Sequence, residues 1–218
     1  MNPESSSAFL FDLDGVLIDS EREYTRIWRA IAEKFTPAKE EKDFALAIKG
    51  QTLRLILDTY FPGEELQQKV TAMLDELEQE MSYELLPGAD RLLTELEKRE
   101  IPRVLVTSSN DKKMAHLREE LPGFEKRFNH IVTADMIVHS KPDPEGYLLG
   151  ASLVGVAPEK CFVVEDSVQG ATAGRNARAT VIAVDTTVGR DKLKGIADIV
   201  ISTLEEIDLD RLSEINKQ

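Results

Sequence analysis

Short apolar runs alternate with amphipathic stretches along most of this chain. The first run, residues 8–11, is apolar at every position, which is typical of a strand buried on both faces in a parallel sheet. From residue 89 onward, segments with helical periodicity alternate with further apolar runs of strand length. This alternation predicts an α/β fold with a Rossmann-like, doubly wound parallel sheet. The predicted strands are 8–11, 103–106, 131–132, 161–164, 181–184 and 199–201.

The segment between the first two predicted strands has helical periodicity and no strand character. The simplest organisation is therefore a core domain of residues 1–19 and 86–218, interrupted by an α-helical domain of residues 20–85. Such an insertion could be a lid that closes over a substrate, or an inert addition that stabilises the core. The helices predicted within it are 20–35, 44–48, 52–60 and 64–83.

Composition and charge limit the classes of molecule that this protein is expected to bind. The 218 residues carry a net charge of −13 and give a pI of about 4.8, so the surface repels nucleic acids and anionic membranes. No apolar run approaches the roughly 20 residues that span a bilayer, and the N-terminus lacks the features of an export signal. We therefore expect a cytoplasmic protein, and a monomer. The one cysteine, Cys161, lies in a predicted strand, which favours a buried structural thiol.

Two aspartates follow the first predicted strand. Asp12 and Asp14 leave it one residue apart, at the carboxyl end of the sheet, where open α/β folds bind their ligands. An ionised aspartate can attack phosphorus, and a protonated neighbour can give a proton to the leaving oxygen. The pair therefore suits phosphoryl transfer. The alternative is a plain turn, in which Asp14-Gly15 ends the strand and Asp19-Ser20 caps the next helix.

Other strand ends bring further polar groups to the same edge of the predicted sheet. Hydroxyls and an amide follow the second strand at residues 107–110, Lys141 lies in a stretch stiffened by prolines, and Glu165 and Asp166 follow a later strand. Taken singly, each has an ordinary interpretation: a helix N-cap, a surface lysine, or an acidic helix start. Together, they are the groups needed to bind Mg²⁺ and a phosphoryl group, because Mg²⁺ prefers hard oxygen ligands.

In order and spacing, these motifs resemble those of the haloacid dehalogenase superfamily. The resemblance is to the branch that contains sugar-phosphate phosphatases and β-phosphoglucomutase-like proteins, and it covers nearly the whole chain. The helical insertion resembles the cap domain of that superfamily. The matching motifs are Asp12-Leu13-Asp14-Gly15-Val16 with Asp19-Ser20, Thr107-Ser108, Lys141-Pro142, and Glu165-Asp166-Ser167 with Gly170 and Ala173-Gly174.

The resemblance implies a role for each motif residue. Asp12 would be the nucleophile and Asp14 the general acid/base, while Lys141 would neutralise the phosphoryl group and orient Asp12. Mg²⁺ would be held by Asp12, the backbone carbonyl of Asp14, and Asp166, with Glu165 beside it. The candidates for substrate binding are Thr107, Ser108, Asn110, Lys49 and Gly50.

The function implied is a Mg²⁺-dependent phosphatase that hydrolyses a small phosphorylated metabolite, such as a sugar phosphate, through an aspartyl-phosphate. The alternatives are a phosphomutase of the β-phosphoglucomutase type and a catalytically silent binding protein on the same fold. Two departures favour the phosphatase. Tyr24 stands where β-phosphoglucomutases carry a histidine, and Leu53 where they carry an arginine that grips the second phosphate. Arg54 would need a shifted helical register to replace that arginine.

Overall fold

A six-stranded parallel sheet forms the centre of the molecule. The computed structural model describes residues 7–35, 44, 47–48 and 51–215. The strands lie in the order β3-β2-β1-β4-β5-β6, and each neighbouring pair is parallel. The predicted α/β fold with a doubly wound sheet is therefore confirmed. The strands are β1 (Ala8–Phe11), β2 (Arg103–Val106), β3 (His130–Val132), β4 (Cys161–Glu165), β5 (Thr180–Val184) and β6 (Ile199–Ile201).

The two faces of the sheet are covered by different apolar clusters. In β1, Phe9 and Phe11 belong to one cluster, and Ala8 and Leu10 belong to the other. This alternation follows from the period of two residues in a strand. All four side chains are almost fully buried, because helices cover both faces. The helices after β1 are α1 (Glu21–Phe35), α2 (Leu53–Tyr60), α3 (Glu64–Glu78), α4 (Ala89–Lys98), α5 (Asp111–Glu120), α6 (Glu145–Val154), α7 (Val168–Asn176), α8 (Arg190–Leu193) and α9 (Leu209–Ile215).

The sheet has its topological switch point at the centre. The chain runs from β1 outward through β2 and β3, and then returns to β4 on the other side of β1. Open α/β sheets bind ligands in the crevice outside the carboxyl ends of the strands at such a point. The residues that directly follow β1 and those at the end of β4 therefore border the crevice.

Helices α1 to α3 lie between β1 and β2 in sequence, and the two connections to them run side by side. The Asp19 amide donates to the carbonyl of Glu84 at 2.9 Å, and the Leu86 amide donates to the carbonyl of Leu17 at 2.9 Å. Ile18 and Leu85 form an isolated antiparallel bridge between the same two connections. The helical segment therefore joins the sheet through one short paired hinge.

The prediction of a helix over 64–83 is wrong at its C-terminal end, because α3 stops at Glu78. Beyond it, buried Met81 and Tyr83 alternate with exposed Ser82 and Glu84, so the chain is extended there. An extended path lets the segment return to the hinge. Of the helix predicted at 44–48, residues 44, 47 and 48 are described, and the Ile48 amide donates to the carbonyl of Phe44 at 3.2 Å, as in a helix. Residues 45 and 46 lie outside the described residues. Over the described ranges, no helix is both long and apolar enough to cross a membrane.

Candidate active site

The crevice at the switch point collects charged side chains from β1, β4 and the loop before α6. Asp12 follows β1, Glu165 ends β4, and Lys141 reaches both from its loop. Gly15 makes the turn after β1 possible: its φ is +75°, and a Cβ there would lie 2.0 Å from an Asp166 carboxylate oxygen. A side chain at position 15 would therefore be strained in its backbone and would displace Asp166.

Lys141 is 5% exposed and lies between two carboxylates. Its Nζ donates to Asp12 Oδ1 at 2.5 Å, to Glu165 Oε1 at 2.6 Å and to the carbonyl of Val106 at 3.3 Å. Burial alone would lower the pKa of Lys141, but the charges of Asp12 and Glu165 outweigh burial and raise it. The side chain is therefore a fixed cation at the carboxyl end of the sheet.

Asp12 is held by that lysine in a position from which most solvent is excluded. Burial raises the pKa of Asp12 above its ordinary value, while the nearby Lys141 acts in the opposite direction. A cation that binds Asp12 would favour its ionised form further. The ionised state of this carboxylate therefore depends on positive charge supplied within the crevice.

Glu165 is fully buried, and both of its oxygens are occupied by donors. Oε1 accepts from Lys141 Nζ and from the Tyr147 hydroxyl at 2.7 Å, while Oε2 accepts from the amides of Asp166 and Ser167 and from the Ser167 hydroxyl. Gly170 provides the space, since a Cβ there would lie 1.7 Å from Oε1. With five donors in place, Glu165 is better suited to holding Lys141 than to ligating a metal.

Carboxylate oxygens of Asp12, Glu165 and Asp166 all lie within 4.8 Å of one another, close enough to surround one ion. Carboxylates and a backbone carbonyl are ligands that suit Mg²⁺, which usually takes one or two carboxylates from the protein. Because Glu165 already accepts five hydrogen bonds, Asp12 and Asp166 are the better side-chain ligands. The Thr187 hydroxyl donates to Asp166 Oδ2 and orients that carboxylate.

Asp14 has an ionic partner that the sequence analysis did not identify. Lys113 Nζ lies 2.6 Å from Asp14 Oδ2, and the hydroxyls of Ser20 and Ser109 also donate to this carboxylate. Lys113 is 8% exposed and its Nζ lies 4.1 Å from the centre of the Tyr24 ring. A sequence signal did exist, because Lys113 shares the buried face of α5 with Met114 and Leu117.

Glu78 is the second functional candidate that the sequence analysis did not identify. The Tyr24 hydroxyl donates to Glu78 Oε1 at 2.7 Å, and both residues line the pocket that contains Asp12 and Asp14. Glu78 lies four residues after buried Leu74 on α3. A charged residue on an apolar helix face was the available signal.

The candidate substrate residues have different positions in the structure. Ser108 and Asn110 line the pocket. The Asn110 side chain also caps α5 by accepting from the Lys113 amide at 2.9 Å, so its predicted capping alternative is present as well. Thr107 is buried, and its hydroxyl accepts from the Ser109 amide at 3.0 Å. Lys49 and Gly50 lie outside the described residues.

Known proteins resemble this chain along most of its length. A family model described as haloacid dehalogenase-like hydrolase matches residues 7–178. Hexitol phosphatase A of Escherichia coli (strain K12) is 37% identical over 205 residues, which is 91% of this chain and 92% of that protein. β-Phosphoglucomutase of Bacillus subtilis (strain 168) is 28% identical over 220 residues, 95% of this chain and 94% of that protein. A crystal structure of β-phosphoglucomutase from Clostridium difficile superposes with a TM-score of 0.80 at 25% identity and covers 96% of each chain.

Proposed function

This chain belongs to the haloacid dehalogenase-like hydrolases, and from that premise we propose that it is a Mg²⁺-dependent phosphatase that hydrolyses a small sugar or polyol phosphate through an aspartyl-phosphate. The observation that carries the proposal is the buried lysine between Asp12 and Glu165, beside Asp166. Such an arrangement fixes a carboxylate nucleophile and supplies positive charge where a phosphoryl group would bind.

In the first proposed step, a carboxylate oxygen of Asp12 attacks phosphorus. A bond from Asp12 to phosphorus forms, the ester bond to the leaving oxygen breaks, and Asp14 gives that oxygen a proton. Lys141 offsets the negative charge of the phosphoryl oxygens and keeps Asp12 oriented, while Glu165 holds Lys141 in place. Asp12, Asp166 and the backbone carbonyl of Asp14 would hold Mg²⁺, which would supply positive charge to the phosphoryl group when bound.

In the second step, water attacks phosphorus and gives a proton to Asp14. The bond between phosphorus and the Asp12 oxygen breaks, which releases inorganic phosphate and restores the Asp12 carboxylate. Each residue therefore returns to its starting state after one turnover. General acid/base groups of this kind contribute about 10²- to 10⁴-fold to a rate.

We also propose that the helical segment of residues 20–85 is a cap domain on a core of residues 1–19 and 86–218. Its helices provide Tyr24, Trp28, Leu53 and Glu78 to the pocket, while the core provides Asp12 and the other reacting groups. The paired hinge at Ile18 and Leu85 is the connection about which such a cap could close.

The experiment that tests the proposed function measures phosphate release from a panel of hexose and hexitol monophosphates. We expect release with Mg²⁺, loss of release with a chelator, and loss with Asp12→Asn, because an amide neither attacks phosphorus nor binds the metal as an anion. Release that survives both the chelator and Asp12→Asn would contradict the proposal.

A phosphomutase is the second candidate, because a β-phosphoglucomutase is among the relatives. The pocket favours the phosphatase: Leu53 lines it, whereas the Arg54 side chain is 87% exposed and lies 4.0 Å from Asp58. Leucine cannot hold the second phosphate of a bisphosphate intermediate. The test is to supply β-glucose 1-phosphate with a trace of the 1,6-bisphosphate. Glucose 6-phosphate that forms faster than free phosphate would favour the phosphomutase.

A further inference from the structure

The wall of the pocket that the helical segment forms is mostly apolar, with one carboxylate in it. The pocket has a volume of about 140 Å³. Among the described residues that line it, Glu78 is the one acidic side chain contributed by α1 to α3. The apolar residues of this wall are Trp28, Ile48, Leu53, Ile56 and Leu74.

Within the ranges that the structure describes, Glu78 has no counter-ion, whereas three other carboxylates of the site have one. Asp12 and Glu165 share Lys141, and Asp14 is paired with Lys113. In the described part of the chain, no cation lies within 4.0 Å of Glu78, and its one hydrogen bond comes from the Tyr24 hydroxyl. Burial accordingly raises the pKa of Glu78, with Lys113 opposing the shift from a distance. A half-buried carboxylate without a counter-ion is costly for the folded protein.

The position of Glu78 relative to Asp14 indicates what could compensate for that cost. Lys113 touches Asp14 and lies against the Tyr24 ring, and Tyr24 donates to Glu78. Glu78 is therefore connected to Asp14 through Tyr24 and Lys113, and it lines the same pocket. In the proposed mechanism Asp14 contacts the leaving oxygen, so the rest of the leaving group would occupy this pocket. A carboxylate accepts strong hydrogen bonds from hydroxyl groups such as those of a sugar or polyol leaving group.

From this geometry we propose that Glu78 determines specificity, by accepting hydrogen bonds from the hydroxyls of a neutral, polyhydroxylated leaving group and by excluding anionic ones. The inference rests on the proposed phosphatase function and narrows its substrate class to monophosphates of polyols or neutral sugars. A second phosphate or a carboxylate on the substrate would meet Glu78. Lys113, the one cation among the described lining residues, is already paired with Asp14.

The test compares the wild-type chain with Glu78→Gln on three substrates with Mg²⁺ present: sorbitol 6-phosphate, fructose 1,6-bisphosphate and p-nitrophenyl phosphate. Glutamine keeps the shape and removes the charge. Glu76→Gln is the matched control, because Glu76 is an exposed residue of the same helix. Glu78→Asp is the second variant. It keeps the negative charge on a side chain that is one methylene shorter.

For Glu78→Gln we expect kcat/KM for sorbitol 6-phosphate, relative to p-nitrophenyl phosphate, to fall about tenfold, since a charged hydrogen bond is exchanged for a neutral one. The ratio of kcat/KM for fructose 1,6-bisphosphate to kcat/KM for sorbitol 6-phosphate should rise by more than about tenfold. Glu76→Gln should match the wild-type chain, and Glu78→Asp should still discriminate against the bisphosphate. The thermal midpoint of Glu78→Gln should equal or exceed that of the wild-type chain at pH 8, because a buried charge is removed.

Equal losses on all three substrates together with a lowered thermal midpoint would show a structural role for Glu78 and overturn the inference. Unchanged ratios would overturn it as well. In both cases wild-type turnover of p-nitrophenyl phosphate would leave the proposed phosphatase function intact. A wild-type chain that hydrolyses none of the three substrates would overturn the proposed function and this inference together.

Discussion

Removal of the Lys141 charge is the perturbation whose effect can be worked out most fully from the structure. Lys141→Met keeps the length and the apolar stem of the side chain but removes the group that contacts Asp12 at 2.5 Å and Glu165 at 2.6 Å. Both carboxylates then remain buried without a cation. The loss of one partner from a buried ion pair costs about 3–5 kcal/mol of folding free energy.

That cost corresponds to a fall in thermal midpoint of about 6–20 °C, at about 2–4 °C per kcal/mol for a chain of this size. It should also depend on pH. Without Lys141, the pKa of Asp12, which burial already raises, rises further, and the pKa of Glu165, which Lys141 helps to hold low, rises above its unfolded value. The folded state then holds protons that the unfolded state releases. For each carboxyl, the free energy of unfolding of the variant therefore falls as pH rises from the unfolded-state pKa to the folded-state pKa. The fall is at most about 1.4 kcal/mol per pH unit for each group.

The assay is urea unfolding of the wild-type chain and of Lys141→Met at pH 5.5 and pH 8.0, without metal. We expect the variant to be less stable at both values and the deficit to be at least about 2 kcal/mol larger at pH 8.0. Lys192→Met, at an exposed position, should change stability by less than about 0.5 kcal/mol. A deficit below about 1 kcal/mol, or one equal at both pH values, would refute the assignment of Lys141 as the cation that holds two buried carboxylates.

Three further results are expected. Asp14→Asn should lower kcat/KM for sugar phosphates by about 10²- to 10⁴-fold and for aryl phosphates by much less, since their leaving groups need little protonation; equal losses would count against the acid role. Gly170→Ala should cost about 1–3 kcal/mol in urea unfolding and reduce phosphate release, because its Cβ would displace Glu165; a silent substitution would show that Glu165 can move. Burial raises the pKa of Cys161 to about 12, so the folded chain should resist a thiol reagent at pH 8 and react once unfolded; rapid reaction of the folded chain would contradict this.

The sheet and the residues at its edge could be predicted because their signals are local. A strand buried on both faces is apolar at successive positions, and the polar groups that follow it stand out directly after Phe11 and Val164. Their convergence on one edge then follows from the parallel topology. The end of α3 is hidden in the sequence, because Met81 and Tyr83 continue the apolar content of the helix although the chain is already extended there.

The pairings within the site could not be predicted, because they join residues distant in sequence. Lys113 and Glu78 are charged residues on amphipathic helices, and their contacts to Asp14 and Tyr24 exist only after the helical segment packs against the sheet. In the sequence, Glu165 and Asp166 are adjacent acidic residues, and nothing there distinguishes their roles. The space left by Gly170 and the donors around it give Glu165 a different environment.

The central proposal is that the phosphoryl group is transferred to the Asp12 carboxylate before it is transferred to water. An acyl phosphate is reduced by borohydride to an alcohol, so quenching the wild-type chain with borohydride during turnover would convert a phosphorylated aspartate to homoserine. Peptide mass spectrometry then locates the converted residue. We expect homoserine at position 12 alone, dependent on substrate and on Mg²⁺. Unmodified Asp12 in a chain that is turning over substrate, or conversion at Asp14 or Asp166 instead, would contradict the account.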